Sequence, residues 1–108
     1  MSVDRYLSRR QAPGYDCLAF ARDVWAGLTG EDLRGRLDIL HPDPRRLRVF
    51  ERLSAPVDPC LVLMRRPRSQ PHVGVYVRGR VLHLDAGGAK HVPLELVALS
   101  FLRVEFYR

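Results

Sequence analysis

Residues 72–85 read HVGVYVRGRVLHLD, and apolar residues alternate with polar or small ones on both sides of Arg78-Gly79. Alternation of this kind is typical of strands whose successive side chains face opposite sides of a sheet. A glycine at the joint suits the positive φ of a tight turn, so the stretch predicts a β-hairpin with a two-residue turn. This register gives three cross-strand pairs: Val77 with Arg80, Gly74 with His83, and His72 with Asp85.

The two faces of this hairpin differ in character. The first face is apolar and is expected to pack on the core: Val73, Val75, Val77, Leu82 and Leu84. The second face carries His72, Gly74, Tyr76, Val81, His83 and Asp85. A slip of one residue would place His83 among the valines, so the apolar pattern itself supports the register. His72 and His83 are then diagonal neighbours, at roughly 7–8 Å between backbones, and Asp85 lies directly opposite His72.

A helix is predicted to begin at Cys17, because apolar residues recur from there at steps of three and four. They are Ala21, Val24, Trp25 and Leu28, and the helix is expected to end near Thr29-Gly30. Asp16 is the predicted N-cap, which places the thiol in the first turn. A glycine inside a strand often marks a close approach, so we expect the helix N-terminus to lie over Gly74. Cys17, His72 and His83 would then align as nucleophile, base and orienting group.

The remaining segments predict an α+β domain that spans residues 1–108, with N-terminal helices packed on a mainly antiparallel sheet. Residues 30–44 predict an irregular connection, and Asp43-Pro44 predicts the start of a second helix over RRLRVFERL, residues 45–53. PCLVLMRR at 59–66 predicts a strand, LELVALS at 94–100 a helical turn or two, and FLRVEFYR at 101–108 a final strand.

Composition limits the classes of protein to consider. The 108 residues carry a net charge of +6, nearly all of it from arginine. This charge is consistent with a polyanionic partner or with a solvated arginine-rich surface. Nucleic-acid binding is not expected, because the basic residues lack interleaved aromatics. The N-terminus lacks an apolar signal segment and no stretch is long enough for a membrane span, so we expect synthesis in the cytoplasm and reduced cysteines.

Three motifs carry a resemblance to a known family: YDCLAFARDVW at 15–25, PCLVLM at 59–64 and PHVGVYVRGRVLHLDAGG at 71–88. They resemble the NlpC/P60 superfamily of cysteine peptidases, and more closely its small phage tail-associated members. The resemblance implies a papain-like α+β core, hydrolysis of amide bonds in peptidoglycan stem peptides and no cofactor. It also implies contact with phage tail proteins and a virion-associated location from which the enzyme acts on the cell wall.

By motif position, the family's nucleophile falls on Cys17, its general base on His72 and its third polar residue on His83. The acidic residue that can hold the amine of the substrate falls on Asp16. The small pair that usually follows the nucleophile, often Ser-Gly, is replaced by Leu18-Ala19.

Each candidate residue also has an alternative interpretation. Cys17 could be a small buried hydrophobic residue, and His72 and His83 could be structural histidines. Asp85 competes with His83 as the group that orients His72. Tyr15 either donates to the oxyanion or packs on the turn. The whole chain could be a catalytically silent tail or assembly protein that retains the papain-like shape.

The other cysteine and histidines are expected to be structural. Cys60 begins an apolar strand and is expected to serve packing. His41 lies in a proline-rich loop and His91 ends a strand, so both are expected at the surface. A zinc site from Cys17, His72, His83 and His91 has suitable ligand types, but no two of these residues have the close spacing usual for metal ligands.

Overall fold

The structure is a computed structural model that describes residues 3–36 and 50–108. Within these residues the chain forms two α-helices, α1 (Cys17–Thr29) and α2 (Leu94–Ser100). The strands are β1 (Arg52–Leu53), β2 (Cys60–Arg65), β3 (His72–Val77), β4 (Arg80–Asp85), β5 (Gly88–Pro93) and β6 (Arg103–Tyr107). They form an antiparallel sheet in the order β1-β6-β2-β3-β4-β5, and the predicted α+β class is confirmed.

Both ends of α1 follow from local sequence. Asp16 has an extended backbone, and its side chain accepts a hydrogen bond from the Ala19 N–H at 3.0 Å. Gly30 adopts the left-handed conformation, with φ 77°, and its N–H donates to the Ala26 carbonyl. An N-cap carboxylate and a C-terminal glycine satisfy backbone groups that a helix leaves unpaired. The predicted cap and helix bounds are confirmed.

The hairpin of β3 and β4 has the predicted register from Val77–Arg80 to Gly74–His83. Arg78 and Gly79 both have positive φ, 54° and 78°, as a type I′ turn requires. Asp58 supports the turn by accepting a hydrogen bond from the Arg78 N–H at 2.8 Å. The pairing ends at Gly74–His83, so the predicted pair of His72 with Asp85 is not part of the ladder.

Each face of the sheet has its own apolar core. The α1 core joins Phe20, Ala21, Val24 and Trp25 of the helix to Leu61, Leu63, Val73, Val75, Leu82 and Leu84 of the sheet. The α2 core, on the opposite face, joins Val97 to Val62, Met64 and Val81. The hairpin face that was predicted to be apolar therefore packs against α1, which confirms the assignment of faces.

The predicted position of the helix N-terminus over Gly74 is wrong. A Cβ at Gly74 would lie 2.9 Å from the Leu82 carbonyl oxygen and 3.0 Å from the His83 Cβ. The space beside this glycine is thus filled by β4, on the histidine face, whereas α1 packs on the other face. The side-chain pattern of one strand shows which residues share a face, but it does not show which helix covers that face.

Three further predictions concern the rest of the chain. The predicted second helix lies mostly outside the described residues, as does His41. The last residues of the predicted helix are described, and for them the helix prediction is wrong. Arg52 and Leu53 form β1, which pairs with the end of β6. The predicted helix at 94–100 and the predicted final strand are confirmed as α2 and β6. In the described residues, no helix is long and apolar enough to cross a membrane.

Candidate active site

The two imidazoles predicted to share a face are in direct contact. His72 Nε2 and His83 Nδ1 are 2.8 Å apart, and the two rings are nearly perpendicular, at 85°. Gly74 is the partner of His83 in the ladder, and its lack of a side chain allows His83 and the backbone of β4 to pack closely against β3. The hairpin therefore builds a hydrogen-bonded histidine pair at the end of the β3–β4 ladder.

Both histidines are held in an environment that favours the neutral ring. Burial, followed by the nearby His72, lowers the pKa of His83 to about 4, and its side chain is only 6% exposed. Burial also lowers the pKa of His72; Asp85 opposes this effect and Arg66 adds to it. Removal of an imidazolium from water is costly, so both rings are uncharged at neutral pH.

Cys17 is half-buried in the first turn of α1, at the edge of the α1 core. Burial raises the pKa of its thiol, and the negative charge of Asp16 raises it further. Hydrogen bonding to the backbone of Val73 and Leu18 acts in the opposite direction but does not reverse the shift. A thiolate beside an imidazolium is therefore not the resting state, because sulfur and imidazole are both neutral.

The sulfur of Cys17 approaches β3 at Val73, the residue that follows His72. Val73 lies just beyond the last pair of the β3–β4 ladder. Both Cys17 and His72 are described, and none of the hydrogen bonds between described residues joins the thiol to the imidazole. The sulfur meets the strand from the α1 face, whereas the His72 ring belongs to the opposite face.

Of the two orienting groups considered for His72, only His83 makes the hydrogen bond. The carboxylate of Asp85 accepts instead from the Lys90 ammonium at 2.9 Å and from the Gly87 N–H at 2.7 Å. Its influence on His72 is limited to its charge, which raises the pKa of that ring.

Tyr15 and Asp16 are both engaged in local contacts. The Tyr15 hydroxyl donates to Asp23 at 2.7 Å and accepts from the Arg9 guanidinium at 2.7 Å. These bonds commit the Tyr15 hydroxyl to the side of α1. Asp16 uses one carboxylate oxygen as the helix cap and is otherwise exposed, so the same side chain remains accessible to a cationic group.

A cavity of about 430 Å³ opens beside the histidine pair, between the sheet and α2. Its walls are formed by Arg66, Ser69, Gln70, His72, His83, Asp85, Lys90, Val92, Leu96, Val97, Ser100 and Phe101. Cys17 does not line it, because the thiol packs at the edge of the α1 core whereas the cavity lies on the α2 side of the sheet. Phe101 stacks on His72 with ring centroids 6.0 Å apart and an interplanar angle of 5°.

The sequence analysis missed the site roles of Phe101 and Arg66. Phe101 was assigned to the final strand, but it ends α2, and Arg66 follows the last residue of β2. The two meet only because β2 and β6 are neighbours in the sheet, and no local pattern indicates that contact.

The described residues include no group of three or more His, Cys, Asp or Glu side chains that could hold a metal ion. The four residues considered for zinc are not gathered in one place. His91 lies within β5 rather than at a strand end, and its Nε2 contacts the Val77 carbonyl at 2.8 Å. Cys60 is fully buried at the start of β2, as its assignment to packing predicts.

Comparisons of this chain with protein-family models, curated proteins and solved structures find no match. Membership of the NlpC/P60 superfamily and a papain-like core therefore remain interpretations of the motifs. The geometry of the described residues is the basis for the functional argument.

Proposed function

We propose that this protein is a cysteine peptidase or amidase of the NlpC/P60 type, with a papain-like core, that hydrolyses amide bonds in peptidoglycan stem peptides. The observation that carries the proposal is the 2.8 Å contact between His72 and His83. It places an oriented imidazole one residue from the strand position that the Cys17 sulfur contacts. A nucleophile, a base and a group that orients the base are the minimum for covalent acyl transfer.

The histidine contact determines which ring nitrogen can act as the base. Nε2 of His72 is occupied by His83, so the proton from the thiol must be accepted at Nδ1. A neutral His72 with a free Nδ1 lone pair carries its hydrogen on Nε2 and donates it to His83 Nδ1. The low pKa of His83 supports this role, because a neutral His83 keeps an acceptor lone pair.

The reaction proceeds in two balanced steps. Cys17 transfers its proton to His72 Nδ1 as the sulfur attacks the carbonyl carbon, and backbone N–H groups stabilise the oxyanion. The carbon–nitrogen bond then breaks, and His72 returns the proton to the departing amine. Water attacks the resulting thioester with His72 again as base, which releases the acid and restores the thiol.

The neutral resting pair implies general-base catalysis rather than a preformed ion pair. The thiol and His72 are not hydrogen-bonded in the structure and belong to opposite faces of the sheet, so proton transfer requires the sulfur and His72 Nδ1 to meet beyond the last pair of the β3–β4 ladder. Catalytic hydrogen bonds are often loose without substrate and tighten in its complex. We expect activity to be lost as pH falls through the pKa of His72, which burial places below its usual value.

Two surface features suit a cell-wall substrate. Asp16 is exposed next to the nucleophile and offers a carboxylate to the amine of a stem peptide. The net charge of +6 assists approach to an anionic wall. A phage tail would supply a route to that wall.

Incubation with purified muropeptides tests the proposal. Wild type is expected to release new amine-bearing fragments, Cys17→Ala to release none, and Cys60→Ala to match wild type because that thiol is only packed. His72→Ala should reduce the rate by about 10²–10⁴-fold. Full cleavage by Cys17→Ala would exclude the mechanism.

A second candidate function is a silent tail or assembly protein. It is favoured by the raised pKa of Cys17 and by the missing hydrogen bond from thiol to imidazole. It predicts that folded wild type leaves all muropeptides intact and that Cys17→Ala supports tail assembly as well as wild type does.

A further inference from the structure

The guanidinium of Arg66 is held in a fixed orientation on the wall of the cavity beside His72. Its Nε donates to the Ser100 carbonyl at 3.0 Å, and its Cζ lies 4.4 Å from the centre of the Phe101 ring. The same ring stacks on His72. One bond and one stacking contact thus fix the plane of the guanidinium and leave its two terminal nitrogens available.

Arg66 provides the uncompensated charge of this cavity. Lys90 is paired with Asp85 at 2.9 Å, and both histidines are neutral at pH 7. Among the described residues, no carboxylate pairs with Arg66, although the preceding Arg65 is paired with Glu105. A planar guanidinium with two free donors matches a carboxylate, which it binds through two parallel hydrogen bonds.

The position of the cavity indicates which part of a substrate it would hold. His72 and His83 line it, whereas Cys17 does not. In the proposed reaction the acyl group is joined to Cys17, and the departing amine receives its proton from His72. Because His72 lines the cavity, a leaving residue that takes its proton from His72 has the cavity as its neighbouring space.

We propose that this cavity is the leaving-group subsite and that Arg66 recognises a carboxylate on the departing amine. The inference rests on the proposed amide hydrolysis and adds its specificity: amides whose leaving group is an amino acid with a free acid group. Val92, Leu96 and Val97 supply an apolar wall for the carbon skeleton of that residue. The carboxylate can be a C-terminal one or an acidic side chain, because Arg66 binds the same group in both.

The first experiment compares hydrolysis of acyl peptides that differ only in the leaving residue. One set has a free C-terminal carboxylate, one has only a side-chain carboxylate, and one has carboxamides at both positions. Wild type should cleave the preferred acid roughly 10- to 100-fold faster, as kcat/KM, than the double carboxamide. The acid that is hydrolysed faster shows whether Arg66 binds a C-terminal or a side-chain carboxylate.

Variants assign this preference to Arg66. Arg66→Gln should abolish it, and Arg66→Lys should keep part of it, because lysine retains the charge without the planar fork. Arg80→Gln removes the same charge from an exposed position that does not line the cavity, and it should behave as wild type. Equal rates for acid and carboxamide in wild type, or an unchanged preference in Arg66→Gln, would overturn the inference.

A binding measurement separates this inference from the proposed activity. N-acetyl-dialanine and its carboxamide are titrated into Cys17→Ala and followed by amide chemical shifts. The acid should shift Phe101 and Ser100, with a dissociation constant at least 10-fold lower than that of the carboxamide, and Arg66→Gln should remove this difference. If the acid binds in this way and wild type cleaves nothing, the carboxylate site at Arg66 stands, but the hydrolase proposal and the assignment to a leaving group fail. If neither probe binds at Phe101, the subsite is rejected even where cleavage occurs.

Discussion

At the scale of single residues, the Cys17 thiol is subject to opposing influences. Hydrogen bonding to the backbone of Val73, Leu18 and Cys17 favours the thiolate, whereas burial and the Asp16 carboxylate favour the thiol and prevail. A helix N-terminus contributes about 0.3–1 kcal/mol at exposed sites, which is less than the cost of charging a half-buried sulfur. Substrate could change this balance, since an amine bound to Asp16 would neutralise the charge that opposes ionisation.

Alkylation kinetics test this balance directly. In a Cys60→Ala background, reaction of Cys17 with iodoacetamide should be slow at about pH 7 and should still be accelerating at pH 9, the ordinary pKa of a cysteine being 9.0. Asp16→Asn should move the profile to lower pH, because asparagine keeps the helix cap but removes the negative charge. A rate that reaches its plateau below pH 7 would instead indicate a preformed thiolate–imidazolium pair.

At the scale of secondary-structure elements, local sequence signals determine where α1 and the β3–β4 turn lie, whereas tertiary packing determines which face of the sheet α1 covers. The bounds of α1 and the turn between β3 and β4 were predictable, because a cap, a C-terminal glycine and strict alternation act over a few residues. The face that α1 covers was not predictable, because both hairpin faces have enough apolar residues to support a core. The strand at Arg52-Leu53 was missed since its pairing with β6 joins residues far apart in sequence.

The candidate site likewise contains one contact that the sequence predicts and one that it does not. The pairing of His72 with His83 followed from counting along the hairpin, since a two-residue turn fixes which residues are neighbours across the strands. The contact of His72 with Phe101 depends on where α2 ends above the sheet, which no pattern in residues 94–101 indicates. Side-chain neighbours within one hairpin can be predicted from its sequence, whereas contacts between separate elements cannot.

The junction between α2 and β6 offers a test of how His72 is positioned. Phe101→Leu removes the parallel ring that stacks on His72 but keeps apolar volume. We expect kcat to fall several-fold with little change in KM for a short substrate, because the imidazole loses its fixed orientation. Phe101→Tyr should restore the rate by restoring the ring. Equal loss in the leucine and tyrosine variants would point to a general effect on folding.

The close packing of β3 against β4 gives a second test at this scale. Gly74→Ala places a Cβ against the Leu82 carbonyl and the His83 Cβ, and backbone atoms cannot rotate away as a side chain can. We expect a loss of about 1–3 kcal/mol in the free energy of unfolding, as for other overpacked sites. Urea denaturation of both proteins measures it, and an unchanged midpoint would contradict the tight contact.

At the scale of the whole molecule, one sheet serves two different purposes. Its α1 face carries the larger apolar core, whereas its α2 face combines a smaller core with the histidine pair and the cavity. The site is therefore supported by the apolar α1 core on the other face of the sheet, and none of its described residues shifts the pKa of His83 by its charge. This arrangement buries His83 almost completely and makes the stability of the fold sensitive to its protonation.

Stability against pH tests this link between the buried histidine pair and the fold. The pKa of His83 falls from its usual 6.5 to about 4 in the folded chain, so the unfolded chain binds a proton that the folded chain does not over this interval. Stability must then rise with pH across the window, and it is lost as pH falls from 6.5 towards 4. The shift corresponds to about 3 kcal/mol, to which His72 adds in the same direction.

His83→Gln is the matched variant, because the glutamine oxygen can still accept a hydrogen bond from His72 but has no proton to gain. Urea unfolding at several pH values should show a steep loss of stability for wild type below pH 6.5 and a shallower loss for the variant. Parallel curves would mean that His83 becomes protonated in the folded state at little cost. The pKa of His83 would then give no support to its role as the neutral acceptor that leaves His72 Nδ1 free to act as the base.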